Sequence, residues 1–261
     1  MKFGLCAGLD KINEVAALGY DYIEPPVNST AALSKEDFAA TLAQVKAAPI
    51  TCEAFNLLFP KTIQVMLTPD EEIAAYLHTA MSRVQQLGGK VAVFGSGKSR
   101  GIPEGWTYEA TFRRLVAVTR LTGEIAAKYG VTIVIEPLNR TETDTINSMA
   151  EGAALCAMVD HPNVKLLCDS YHVAKDNEPF TDIVRLGGVS HVHVATKEGR
   201  RYPLAADEDL KALCAALNAT QYDGRISIEG KTDDMAADSP VALSVLKAAW
   251  EDSVWEGVKK L

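Results

Sequence analysis

FRRLVAVTRLTGEIAAKYGVTIVIEPLNR, residues 112–140, decides the fold. Apolar residues recur at helical spacing up to Gly130, a usual helix stop, and a β-branched run, Val131–Ile135, follows at once and ends on the carboxylate of Glu136. The same unit repeats outward in both directions. Candidate strands are Lys2–Cys6, Tyr20–Glu24, Thr51–Phe55, Lys90–Phe94, Val164–Cys168, His191–Val194 and Arg225–Ile228. Helical patterns such as KEDFAATLAQVKAA (35–48) and PDEEIAAYLHTAMSRVQQLG (69–88) lie between them, with Thr68 or Asp70 as candidate cap of the second. Eight strands alternating with eight helical segments favour a closed parallel sheet over an open doubly wound one. The turn after the first strand, AGLDKINE, lacks G-x-G-x-x-G. The expectation is an α/β chain forming a single (β/α)8 TIM barrel over residues 1–261, close to the ~250 residues such barrels use.

Composition narrows the function classes. The chain is 48% hydrophobic and 23% charged, ordinary for a globular protein. A net charge of −8 speaks against nucleic acid or an anionic membrane as partner, because both need a cationic face. No apolar run reaches the ~20 residues of a membrane span, and MKFGLCAGLDK (1–11) reads as a first strand rather than a leader. Five scattered cysteines without a C-x-x-C pair suit free thiols in a reducing cytoplasm. Small neutral or metal-chelated substrates stay open, and further copies of the chain are an expected partner.

In a (β/α)8 barrel, catalytic side chains sit at the C-terminal ends of strands. Glu136 ends the fifth strand, Asp169 the sixth with His172 three residues on, and Glu229 the eighth. HVHVA (191–195) places His191 and His193 on one face of the seventh. Each alone reads as a solvated or capping group. Together, three carboxylates and an imidazole around one mouth repel one another unless a cation joins them. Oxygen-rich ligation suits one divalent ion, Mn²⁺ first, with Mg²⁺ or Co²⁺ as alternatives.

Several other signals carry less. FGSGKSR (94–100) resembles a phosphate loop, but the pattern needs glycine where Ala92 stands, so Gly95 and Gly97 are read as turn residues. Lys98 or Arg100 could meet an anionic substrate group. Glu53 ends a strand, where it lines the pocket, caps a helix or faces solvent. His78 and His161 read as structural or solvated, and Trp250 and Trp255 as core or subunit contacts.

The segments IEPLNRTETDTIN (135–147), CDSYHVAKD (168–176), HVHVATKEGRRYP (191–203) and SIEGK (227–231), with CEAFN (52–56) earlier, resemble the xylose-isomerase-like sugar isomerase/epimerase barrels, especially the ketose 3-epimerase branch. The resemblance implies that Glu136, Asp169, His193 and Glu229 hold the metal, and that Glu136 and Glu229 are the catalytic acid–base pair on opposite faces of a bound sugar. It implies substrate contacts from Glu142, His172 and Arg200, with Arg201 the adjacent alternative. The activity implied is isomerisation or epimerisation of a ketose or related keto-sugar by proton transfer through a metal-stabilised enediolate. A lyase is the alternative: the same metal and carboxylates can expel a β-oxygen from a keto-sugar. A barrel nuclease would want more histidines and a basic groove, and a non-catalytic binder would not need four ligands.

Overall fold

A computed structural model describes the backbone of residues 1–259 and side chains through Ser253. Eight strands, β1 (Lys2–Cys6), β2 (Tyr22–Glu24), β3 (Ala54–Phe55), β4 (Val91–Phe94), β5 (Thr132–Ile135), β6 (Val164–Asp169), β7 (His191–Val194) and β8 (Arg225–Ile228), form one sheet. Their order is β2-β1-β8-β7-β6-β5-β4-β3, and each ladder is parallel. Parallel bridges Tyr22–Thr51 and Pro26–Asn56 join the two end strands. The result is a (β/α)8 barrel.

Two apolar layers hold it. Inside, Tyr22, Ala54, Val91, Val93, Val134 and Leu167 form a plug. Gly4 makes room for it, because a Cβ there would stand 2.2 Å from the Tyr22 ring. Outside, the other face of each strand packs against helices. The longest of these with described side chains, Tyr108–Lys128, is capped by Thr107 and buries Leu115, Val118, Thr122 and Ile125 at spacings of three and four. Each such aliphatic contributes ~1.5–3 kcal/mol on burial.

Inward side chains step by two along a strand. Val134 is thus followed by Glu136, Leu167 by Asp169, His191 by His193, Ser227 by Glu229 and Tyr22 by Glu24. The apolar plug therefore turns polar towards the C-terminal mouth. Asp169 and His193 are direct register partners, as are His193 and Ser227.

Three expectations need correction. The helix Asp70–Gln86 has Pro69, not Thr68 or Asp70, at its N-cap position. Thr68 Oγ1 instead accepts the Gln64 N–H, and Asp70 pairs with Arg114. Glu53 lies at the opposite end of the barrel from the mouth, bound to Arg225 (2.6 Å) and Lys2, which begin β8 and β1. Arg100 is fully buried and donates to the carbonyls of Phe94 (3.2 Å) and Glu136 (2.8 Å), so it clamps backbone rather than reaching a ligand. Burial, against the pull of Glu136, lowers its pKa to about 10. Trp250 packs against the core, and the Trp255 side chain lies outside the described residues. Among the described residues, no helix is long and apolar enough to cross a membrane.

Candidate metal centre and active site

Glu136, Asp169, His193 and Glu229 each bring a ligand atom to one point, all within 4.8 Å of one another. His193 Nδ1 lies 3.4 Å from Glu136 Oε1 and 3.2 Å from Glu229 Oε2. Two donors on opposite sides of one hard cation stand at most about 4.0–5.2 Å apart, so this spacing fits a single ion. The donor set is oxygen-rich with one imidazole, as Mn²⁺ or Mg²⁺ prefers. Asp169 serves twice: Oδ1 accepts the Tyr171 N–H and caps the helix Ser170–Lys175, while Oδ2 faces the cluster.

Neighbours set the orientation of these groups. His193 Nε2 meets Glu24 Oε1 at 2.8 Å, which turns Nδ1 towards the other carboxylates. His172 Nδ1 accepts the Asn139 backbone N–H at 3.1 Å, so its hydrogen sits on Nε2. That buried Nε2 has no hydrogen-bond partner among the described residues and lies 3.5 Å from Asp169 Oδ2 and 4.0 Å from Glu136 Oε1. Gly95 gives Glu136 its place, because a Cβ there would stand 1.9 Å from Glu136 Oε2. The left-handed residue of that loop is Ser96 (φ 39°), so Gly95 serves close approach and not the turn expected of it.

Arg200 reaches the cluster, whereas Arg201 turns away to Asp233. Arg200 Nη2 donates to Glu229 Oε2 (2.6 Å) and Asp169 Oδ2 (3.2 Å), and Nη1 stands 3.6 Å from Glu142 Oε1. Its guanidinium lies 5.0 Å from the centre of the Tyr171 ring. Asn139 Nδ2 donates to Glu142 (3.2 Å), and Asn56 Nδ2 donates to Glu229 (3.0 Å). A cleft of about 300 Å³, lined by Leu57, Leu138, Glu136, Glu142, Arg200 and Glu229 among others, opens above the cluster. Lys98 is not among its lining residues.

Charge is unevenly distributed here. Burial raises the Glu136 pKa, and the charges of Glu229 and Asp169 add to this against the hydrogen bond from His193. Burial also acts on Glu229, but the His193 imidazole and Arg200 outweigh it and hold its carboxyl at about 2. Burial opposes charge on His193, yet Glu24 and Glu229 outweigh it and raise its pKa well above the usual value. A cation held there would take the place of that proton. The three carboxylates meet Arg200 and the imidazoles of His193 and His172, and their convergence on one point suits a divalent ion.

Sequence reasoning passes over Glu24, Asn56 and Asn139. Glu24 obeys the same strand-end rule as the ligands, and Asn139 lies within the motif that carries Glu136. Cys6, Glu24 and His193 also bring donor atoms within 4.8 Å of one another, but both Glu24 oxygens already accept hydrogen bonds.

A family model described as a xylose isomerase-like TIM barrel matches residues 12–252. An L-ribulose 3-epimerase from Methylomonas sp. (strain DH-1) is 30% identical over 142 residues, covering 53% of this chain and 49% of that protein. A D-psicose 3-epimerase from Agrobacterium fabrum is 31% identical over 108 residues, covering 41% of this chain and 37% of that one. The chain thus spans about half the length of these curated relatives or less. The solved structure of a D-psicose 3-epimerase in the presence of D-fructose superposes with a TM-score of 0.80 at 22% identity, covering 98% of this chain and 99% of that one.

Proposed function

Because this chain belongs to the xylose isomerase-like TIM barrel family, we propose that it is a divalent-metal-dependent isomerase or epimerase of a ketose or related keto-sugar. The observation that carries this reading is the convergence of Glu136, Asp169, His193 and Glu229 under an open cleft of sugar-sized volume. Relatives that are sugar epimerases support it. Mn²⁺ is the proposed ion, and the five free thiols support a reducing cytoplasm.

These four residues would hold a divalent ion, which would supply positive charge beside the sugar carbonyl oxygen whose neighbouring carbon loses its proton. Glu136 and Glu229 are the proton carriers. They follow β5 and β8, with β6 and β7 between them, so their carboxylates approach the cleft from different sides. One removes the proton from carbon and the other delivers a proton to the opposite face, which inverts that carbon. Delivery to the neighbouring carbon gives the aldose–ketose exchange instead. The unpartnered His172 Nε2–H is a donor for a substrate oxygen, and Arg200 and Glu142 grip hydroxyls at the cleft wall.

The test is a mass-resolved screen of ketoses and keto-glycosides with Mn²⁺. The reading expects a product of unchanged mass that disappears with chelator. Loss of water or of an aglycone would contradict it and favour the lyase.

A further inference from the structure

Beneath the ligand cluster the barrel holds a carboxylate that does not line the cleft. Glu24, the last residue of β2, is completely buried. Its Oε1 accepts from His193 Nε2 (2.8 Å), while Oε2 accepts from His191 Nε2 (2.8 Å) and from the Ser227 hydroxyl. Ser227 Oγ is 2.6 Å from the Tyr22 hydroxyl, which continues the chain across the barrel. Tyr22, His191, His193 and Ser227 are all fully buried as well. Among the described residues His191 Nδ1 has no hydrogen-bond partner, and the ring's hydrogen bond is the one from Nε2 to Glu24.

A charge buried this deeply is costly unless hydrogen bonds compensate it, and an apolar residue would fill the layer at less cost. The arrangement gains something else. An ionised carboxylate only accepts, so the hydrogen of His193 must sit on Nε2, and the lone pair of the neutral ring falls on Nδ1. Nδ1 is the atom that faces Glu136 and Glu229. The other oxygen is held by His191 and Ser227, which fixes the carboxylate plane and with it the His193 ring.

We infer that Glu24 is the positioning residue that makes His193 a metal donor through Nδ1, with the Tyr22–Ser227 pair and His191 holding Glu24 in place. This rests on the metal reading of the four-residue cluster. Glu24 itself touches neither ion nor sugar. Its effect travels through one imidazole.

Glu24→Gln is the discriminating variant. The amide has one acceptor oxygen, and its NH₂ faces a second N–H, so either His191 or His193 must lose its acceptor or change tautomer. Outer-sphere partners of this kind are worth ~10–100-fold in metal affinity. Titration of the full chain with Mn²⁺, followed by electron paramagnetic resonance of the free ion, is expected to show weakening of that order. Long-range ¹H–¹⁵N spectra of histidine in the Mg²⁺-loaded protein report the tautomer directly. His193 is expected as Nε2–H in the wild type and as Nδ1–H or a mixture in Glu24→Gln. Ser227→Ala frees Oε2 but leaves the Oε1 contact, so it should weaken Mn²⁺ binding by a smaller factor. If Glu24→Gln does not fold, judged by its thermal melt, Ser227→Ala carries the test, and unchanged affinity there overturns the inference. Wild-type Mn²⁺ affinity in Glu24→Gln with His193 still Nε2–H overturns the role of Glu24 and leaves the metal site standing. A wild-type protein that takes up no Mn²⁺ overturns the metal reading and this inference together.

Discussion

Gly95 shows how one absent carbon sets the site. The atom a Cβ would strike is the far end of a flexible side chain, Glu136 Oε2, so the fold can absorb Gly95→Ala while the carboxylate moves. The variant is expected to melt close to the wild type yet lose on the order of a hundredfold in kcat, since a misplacement of about 1 Å costs that much. Wild-type kcat would contradict the placement of Glu136. His172 makes a complementary case. Its Nε2–H points at the cluster while Asn139 holds the other nitrogen, so His172→Ala should lower kcat/KM by roughly 10–100-fold, the value of one buried hydrogen bond. Elemental analysis should find the variant's metal content unchanged, and metal loss would make His172 a ligand. At this scale the strand ends yield the three carboxylates and three candidate histidines, and the resemblance singles out His193 among them. Glu24 obeys the same rule, but the segments that carry the resemblance lie mainly in the second half of the chain. The role of Gly95 is not legible at all, because the constraint comes from a side chain 41 positions away.

Among elements, the helices that follow β5 and β6 matter most, because their first turns abut the site loops. Ser148 accepts the Glu151 N–H, and Glu151 accepts the Asn147 N–H, so the start of helix Met149–Val159 is closed from both sides. Ser148→Ala should cost ~1 kcal/mol and lower Tm by about 2–4 °C in a chain of this size, read by differential scanning calorimetry. An unchanged Tm would mean the cap carries no stability. Most strand positions follow from the sequence to within one residue, since the runs are short, bounded by turns and buried on both faces. β2 and β3 are the exceptions, shortened to Tyr22–Glu24 and Ala54–Phe55. Thr51 makes only an isolated bridge to Tyr22, and Glu53 is drawn to Arg225 and Lys2 across the barrel floor. The short helices Val27–Ala32 and Asp182–Arg185 also escape the sequence, because a single turn or two carries no period to detect.

At the scale of the molecule, burial governs reactivity away from the site. It pushes the thiols of Cys52, Cys156 and Cys214 up to about 12. A raised thiol pKa keeps the proton on below that pH, so at pH 8 the reactive thiolate is roughly a thousandfold scarcer than in a free cysteine. Iodoacetamide should therefore label these three slowly in the native protein at pH 8 and all five cysteines promptly in denaturant. Rapid native labelling would contradict the packing of the outer layer. The central claim is that Glu136 and Glu229 carry a proton to and from a sugar carbon at a metal-charged mouth. Turnover of a responsive ketose in D₂O with Mn²⁺, read by NMR and mass spectrometry, tests it most directly. The account predicts one solvent deuteron on the carbon beside the carbonyl, no other change in mass, and loss of ~10²–10⁴ in rate in Glu136→Gln. Product formed without deuterium on carbon, or with release of a leaving group, would contradict it.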